Sequence, residues 1–132
     1  MRKHAPSREE RQAIMSNYSR GANFERRVAR ILDADGYFTV RSSGSHGVAD
    51  IVAIKAGVIM LVQCKINGVL SPADRVALFE VCQRAGAVPL VAYRPTPRKL
   101  AYRRLVDPDP RGGIYRPYLT DVIAATATEA IG

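Results

Sequence analysis

Apolar residues recur at helical spacing early in the chain, and an alternating stretch follows them. The residues that form one apolar face of the predicted helix are Phe24, Val28, Ile31 and Leu32. Asn23 is a candidate cap for this helix and Gly36 a candidate stop. The segment YFTVRS then alternates between apolar and polar positions, which predicts a strand.

The first twenty residues are polar and basic. Ser7 and Glu10 have the spacing of a capping box, which predicts a short helix over residues 6–16. A mobile arm is the alternative that the sequence leaves open.

Two apolar runs, ADIVAI and VIMLVQCKI, are separated by a glycine-containing turn and predict a β-hairpin. If Ala56 and Gly57 form the loop, Asp50 lies directly opposite Gln63 on the neighbouring strand. Lys65 is two residues beyond Gln63 and therefore points to the same face. The three polar groups are then expected to meet near one end of the sheet. A shift of one residue would separate them, so this inference depends on the turn.

A second helix is predicted to begin at Ser71-Pro72, with serine as its cap, and to end at Gly86. The apolar run VPLVAY follows, and a strand-helix-strand succession implies a right-handed crossover between parallel strands. The predicted order is α-β-β-β-α-β. Prolines punctuate the chain after Arg94, with an edge strand expected over residues 114–119 and a weak helix over 121–131.

Composition limits the class of protein. A chain of 132 residues with 47% apolar content suits one compact α/β domain. The formal charge of +8 indicates a polyanionic partner, and nucleic acid is the first candidate. The alternative is that the chain is rich in arginine for reasons unrelated to a ligand. Cys64 and Cys82 form neither a metal motif nor a disulfide framework, which favours a reducing cytoplasm, or the host cytoplasm for a phage protein. No signal peptide or membrane span is expected.

The predicted cluster has the chemistry of a metal-dependent phosphodiesterase. Hard divalent ions take oxygen ligands, and Mg²⁺ keeps several waters beside one or two carboxylates. Asp50 is the first candidate ligand, and Gln63 offers an amide oxygen. The Lys65 ammonium would stabilise developing charge on a phosphate. The expected cofactor is Mg²⁺, for which Mn²⁺ would substitute.

Asp50 followed by Gln63-Cys64-Lys65 resembles the signature of the PD-(D/E)XK nuclease superfamily. The stretches GANFERRVARIL, VRSSGS, ADIVAI and QCK are similar, more specifically, to the archaeal-type Holliday junction resolvases, over residues 21–93. The resemblance implies a restriction-endonuclease-like αβββαβ core, with a central mixed sheet flanked by helices.

The resemblance also implies roles for individual residues. Glu25 would join the metal site, and Ser45 would lie in a flexible catalytic loop. The backbone carbonyl of Cys64 is a further candidate ligand. By the resemblance Arg26 and Arg41 would contact DNA phosphates. The other residues expected to contact nucleic acid are Arg20 and Ser45, together with Arg94, Arg98 and Lys99 of the basic segment after VPLVAY, which could grip a phosphate backbone. The active form would be a homodimer whose two-fold symmetry matches a four-way junction.

Two positions depart from the family pattern. Ala49 replaces a proline, which changes only how strongly the backbone is restricted at that position. Gln63 replaces the acidic residue, which removes a charge from the metal site, as in the Mrr-like restriction nucleases. We expect weaker metal binding or a changed substrate, with Glu25 as a compensating ligand.

Each candidate also has a purely structural interpretation. Asp50 could be bonded to loop amides, Lys65 could mark the end of a strand, and Glu25 could lie on a solvated helix face. His46 is interpreted as an exposed loop residue rather than a general base. The side chain of Cys64 is expected to pack in the core.

The basic segment over residues 93–104 carries no acidic residue. Its two tyrosines, Tyr93 and Tyr102, could stack on unpaired bases, or the segment could be a solvated loop.

The expected function is structure-selective cleavage of branched DNA, with four-way junctions as substrate and no small-molecule cofactor. The alternatives are an Mrr-like restriction or repair nuclease acting on duplex or flap DNA, and a branched-DNA-binding protein without catalysis. The expected organisation is a basic arm or short helix over residues 1–20, a nuclease core over 21–104, and a C-terminal extension over 105–132 that packs on the core or the dimer.

Overall fold

Two helices and six strands make up the part of the chain that the computed structural model describes, residues 5–42 and 47–118. The elements are α1 (Arg8–Ala34), β1 (Phe38–Arg41), β2 (Ile51–Lys55), β3 (Val58–Cys64), α2 (Pro72–Ala85), β4 (Val88–Tyr93), β5 (Ala101–Asp107) and β6 (Ile114–Tyr118). Neither helix is long and apolar enough to cross a bilayer, as far as the described residues go.

The six strands form one mixed sheet in the order β1-β2-β3-β4-β5-β6. Strands β3 and β4 are parallel, and every other neighbouring pair is antiparallel. One face of the sheet packs on α1 through a core that includes Phe24, Val28 and Leu32. The opposite face packs on α2 through Leu78 and Cys82. We call these the α1 face and the α2 face. The predicted α/β fold class with an αβββαβ core is confirmed.

Helix α1 is longer than the sequence predicts. Ser7 caps it, as expected, by accepting a hydrogen bond from the Glu10 N–H at 3.0 Å. The helix then continues without a break to Ala34, so the prediction that Asn23 caps a separate helix is wrong. Once a helix has formed, each further residue that joins it adds one backbone hydrogen bond. The C-terminal half of α1 is anchored on the sheet by its apolar residues. The polar N-terminal half can therefore extend from it.

The predicted hairpin is confirmed between Ile51 and Val62. The ladder runs from Ile51 opposite Val62 to Lys55 opposite Val58, as a two-residue turn requires. Both turn residues have positive φ, 50° and 81°, which suits the twist of the strands.

The prediction that this register continues to Asp50, which would place it directly opposite Gln63, is wrong. Asp50 precedes β2, and its backbone N–H donates to the Val62 carbonyl at 2.9 Å. The Ser42 N–H donates in turn to the Asp50 carbonyl at 2.9 Å. Val62 is also the ladder partner of Ile51, so Asp50 does not stand in regular pairing with Gln63.

Helix α2 and strand β4 lie where the sequence predicts them. Ser71 caps α2 by accepting from the Asp74 N–H at 3.2 Å, and Gly86 ends it in the left-handed conformation with φ of 66°. Strand β4 then pairs in parallel with β3.

Strand β5 was not predicted, because the sequence AYRRLVD places two adjacent arginines in its middle. Tyr102 and Leu105 are nevertheless buried, one on each face of the sheet. The edge strand expected over residues 114–119 is confirmed as far as Tyr118. The helix expected over residues 121–131 lies outside the described residues. The domain boundaries drawn after residues 20 and 104 fall inside α1 and β5.

Candidate active site

The Asp50 carboxylate is held at the end of strand β3. Its Oδ2 accepts a hydrogen bond from the Cys64 N–H at 2.8 Å. The backbone of Asp50 is held at the same time by hydrogen bonds with Val62 and Ser42. The expected structural role of Asp50, bonding to a backbone amide, is therefore present. The carboxylate is also fixed in position, as a metal ligand would need to be.

Glu25 of α1 lies beside Asp50. Burial raises the pKa of the Glu25 carboxyl, and the negative charge of Asp50 raises it further. Arg41 opposes the shift through an ion pair with Glu25, in which Nη2 lies 3.5 Å from Oε1. Two carboxylates from different elements thus repel each other across one small region, which a cation between them would relieve.

Gln63 is buried, with 7% of its surface exposed. Its Nε2 donates to the Val48 carbonyl at 2.6 Å. A carbonyl can only accept, so the amide nitrogen has to face Val48 and the amide oxygen is the part left for a cation. No hydrogen bond joins Asp50 to Gln63 in the described structure. The two side chains bond to different backbone groups, Val48 and Cys64, and their joint binding of a cation stays a prediction.

Lys65 follows β3 directly, and its backbone N–H donates to the Ala92 carbonyl at 2.9 Å. Lys65 lines a cavity of about 380 Å³ together with Arg20 and Gly21 of α1 and with Cys64. Lys65 is thus adjacent to Cys64, whose backbone N–H holds the Asp50 carboxylate.

The Cys64 side chain is packed, as predicted. Burial raises the pKa of its thiol strongly, and the charges of Asp50 and Glu25 raise it further. The thiol therefore stays protonated at neutral pH and is a poor metal ligand. This leaves the backbone carbonyl as the oxygen that Cys64 could offer.

The donor set fits a hard divalent cation that keeps much of its water. Two carboxylates, from Asp50 and Glu25, and the amide oxygen of Gln63 are hard oxygen donors. Within residues 5–42 and 47–118, no three His, Cys, Asp or Glu side chains form a metal-holding group. Mg²⁺ is commonly bound through only one or two carboxylates, so the arrangement suits Mg²⁺ better than zinc.

Two of the arginines expected to contact DNA have partners inside the protein. Arg26 donates to the Asn23 side-chain oxygen, and Arg41 pairs with Glu25. Arg98 and Lys99 are exposed in the turn between β4 and β5. Ser45 and His46 lie outside the described residues.

Arg20 and Arg94 line a second cavity of about 250 Å³, which also contains Arg27. Sequence reasoning missed Arg27. The signal that could have found it is the spacing, since residues seven apart on a helix lie on one face.

The tyrosines of the basic segment do not present free rings for bases. Tyr102 is 7% exposed and belongs to the core of the α1 face. Arg103 lies between Tyr93 and Tyr115, with its guanidinium 5.6 Å and 3.9 Å from the ring centres. The prediction of base stacking by Tyr102 is therefore wrong, because strand β5 turns this side chain inward.

Known proteins with similar sequence or structure were found. The chain is 40% identical over 50 residues to the crossover junction endodeoxyribonuclease Hjc of Methanocaldococcus jannaschii, a match that covers 38% of this chain and 37% of that protein. The chain therefore matches little more than a third of this curated relative.

A solved structure extends the likeness to the fold. The Holliday junction resolvase Hjc of Archaeoglobus fulgidus is 27% identical, with a TM-score of 0.54 over 64% of this chain and 70% of that one. The model of the archaeal Holliday junction resolvase (Hjc) family matches residues 16–110. The resemblance predicted from the motifs is thereby confirmed, and the chain belongs to the archaeal Holliday junction resolvase family.

Proposed function

We propose that this protein is a metal-dependent endonuclease that cuts branched DNA, with the four-way junction as its substrate. The observation that carries the proposal is the convergence of Glu25 and Asp50, from separate elements, beside Lys65. Membership of the resolvase family supports the choice of substrate. The excess of basic residues supports a polyanionic ligand.

The residues of the site have distinct tasks in this proposal. Asp50 and Glu25 would hold Mg²⁺ or Mn²⁺, assisted by the amide oxygen of Gln63 and the Cys64 carbonyl. The bound ion would polarise the phosphate and lower the pKa of the attacking water. The Cys64 N–H keeps the Asp50 carboxylate in place. Lys65 stabilises the negative charge that develops on the phosphate oxygens.

Arg41 has a second task in the proposal. In its present ion pair it lowers the energy of the charged form of Glu25. The pair is exposed at the arginine end, with 41% of that side chain accessible. The same guanidinium can therefore turn to a DNA phosphate once a cation replaces it as the partner of Glu25.

The proposed active form is a homodimer in the cytoplasm. A four-way junction presents two equivalent strands, which a two-fold oligomer can cut symmetrically. Both cysteines are free thiols, which suits a reducing compartment. Sedimentation equilibrium of the purified protein would test the dimer, and a monomer at micromolar concentration would contradict it.

Cleavage of a synthetic four-way junction tests the function. Purified protein with Mg²⁺ or Mn²⁺ should nick the junction and leave a linear duplex of the same sequences largely intact. Asp50→Ala should abolish the nicking. Equal cutting of duplex and junction would favour a restriction-like or repair nuclease. Unchanged cutting by Asp50→Ala would contradict the assignment of the site.

A branched-DNA-binding protein without catalysis is the second candidate, and one observation favours it. Gln63 stands where the family has an acid, and its amide is engaged with Val48. This candidate predicts tight junction binding without cutting in either metal, and no rescue by Gln63→Glu.

A further inference from the structure

A basic pocket lies outside the proposed catalytic cluster, between helix α1 and the end of strand β4. Its volume is about 250 Å³, and its lining residues are Arg20, Asn23, Phe24, Arg27 and Arg94. We call it the three-arginine pocket. Arg94 enters it from the sheet, where its backbone N–H donates to the Ile66 carbonyl at 3.0 Å. Helix α1 and the end of β4 thus bring three arginines to the lining of one space.

None of the described residues that line the three-arginine pocket carries a carboxylate. No Asp or Glu occupies the positions three or four residues from Arg20 or Arg27 along the helix, where a helical ion pair would form. Glu25, the acid nearest in sequence, faces Arg41 instead. The side-chain oxygen of Asn23 accepts from Arg26. The positive charge of the pocket therefore has no counter-charge among its own residues.

Arg94 is held in place beside the pocket by its packing. Its Nε is buried and has no hydrogen-bond partner in the described structure. Its guanidinium lies over the Phe24 ring, 5.8 Å from the centre, an arrangement that fixes its direction. A buried donor without an acceptor is costly.

The pocket shares one lining residue with the cavity beside Lys65. Arg20 lines both spaces. Gly21, in the second, has no heavy atom within 4 Å of where a Cβ would stand. Glycine inside a helix costs about 1 kcal/mol relative to alanine, and the packing of the protein does not require it here. The open surface at Gly21 allows a ligand backbone to pass close to the helix.

We propose that the three-arginine pocket binds a backbone phosphate of the DNA strand that is cut, next to the phosphate held at Lys65. The inference rests on the proposed function, which supplies the DNA ligand. Guanidinium groups match phosphate oxygens through paired hydrogen bonds. Such a contact positions the strand and carries no sequence preference.

Binding of a four-way junction in EDTA, where no cutting occurs, tests the pocket. The variants are Arg27→Gln and Arg94→Gln, measured by fluorescence anisotropy over a series of salt concentrations. Loss of one phosphate contact should weaken binding about 10-fold at moderate salt and reduce the slope of log K against log salt by about 0.9. Arg30→Gln is the matched control, because it makes the same charge change on an exposed part of the same helix.

The outcomes separate the pocket from the proposed function. If Arg27→Gln keeps the wild-type affinity and slope, or changes them only as much as Arg30→Gln, the pocket does not bind phosphate. If wild-type protein fails to cut the junction in Mg²⁺ or Mn²⁺ while Arg27→Gln still loses a phosphate contact, the nuclease proposal fails and the pocket stands. Should Arg94→Gln unfold, as judged by circular dichroism, Arg27→Gln and Arg20→Gln decide the question.

Discussion

The arginines on the two faces of the sheet differ in what surrounds them. On the α2 face, Arg75 and Arg103 are surrounded by groups of the protein itself. On the α1 face, Arg20, Arg27 and Arg94 line a space that has no counter-charge among its described lining residues. All five contribute equally to the net charge of +8.

The α2-face arginines connect loops to the sheet. Arg75 is 5% exposed and donates to the Leu70 carbonyl at 2.8 Å. Its other terminal nitrogen reaches the carbonyls of Asp109 and Pro110 at 3.5 and 3.4 Å. Arg103 donates to the Gly68 carbonyl. These arginines stabilise the turns on which they act, and DNA cannot use them without breaking those contacts.

Basic charge alone therefore does not locate a nucleic-acid surface. A guanidinium that already bonds to backbone carbonyls serves the fold. One that lines an open space without an acid is available to a phosphate.

Asp50→Asn should have the largest effect, on catalysis alone. The asparagine can still accept from the Cys64 N–H, but it removes the charge that would hold a cation. Loss of several kcal/mol of metal-derived stabilisation corresponds to a fall of about 10³-fold in the single-turnover cleavage rate. Junction binding in EDTA should stay within about 3-fold of wild type. A fall of less than 10-fold in rate would contradict a metal role for Asp50.

Arg75→Met should lower stability and leave DNA binding unchanged. It removes the donors that three carbonyls of the α2 face share. A buried acceptor left without a partner costs about 1–3 kcal/mol. Leu70 is buried, whereas Asp109 is half-buried and Pro110 exposed, so the expected loss of unfolding free energy is about 2 kcal/mol. Urea denaturation measures it. Arg84→Met, an exposed change on the same helix, should shift it by less than about 0.5 kcal/mol. A loss of junction affinity with unchanged stability would break the division between the faces.

Gln63→Glu should destabilise the metal-free protein by about 2 kcal/mol, because a carboxylate cannot donate to the Val48 carbonyl. The added charge should then strengthen metal binding. Melting curves should therefore show a larger rise with Mn²⁺ in the variant than in wild type. Gln63→Leu, which loses the same hydrogen bond, should be destabilised without that gain. Equal responses of all three proteins would exclude residue 63 from the metal site.

Gly21→Ala should have the smallest effect, and its two parts should have opposite signs. The helix should gain about 0.5–1 kcal/mol of stability, because the new methyl group meets no neighbour. Junction binding should weaken if a DNA strand passes close to this residue. Improved stability with unchanged binding would show that the strand takes another path.

Local signals explain what the sequence predicts well. The Ser71-Pro72 start and Gly86 stop of α2 are set by capping chemistry within a few residues. The Ala56-Gly57 turn sets the register of β2 and β3 through its own backbone angles. The resemblance to the resolvase motifs identified Glu25 of α1 as a candidate site residue. The apolar periodicity of the helix does not indicate it.

Non-local contacts explain what the sequence could not predict. The shifted backbone at Asp50 depends on hydrogen bonds from both Ser42 and Val62. The Gln63 amide turns to Val48, fifteen residues away. Strand β5 forms although its centre is charged, since arginine stems can cover apolar surface while their charged ends find partners. This strand carries Arg103, one of the two α2-face arginines.

A crystal structure of the protein with Mn²⁺, located by anomalous scattering, would show whether the two carboxylates hold a cation. We expect manganese between the carboxylates of Asp50 and Glu25, with the Glu25–Arg41 ion pair opened. Manganese bound elsewhere, or none at a saturating concentration while Asp50 contacts only the Cys64 N–H, would contradict it.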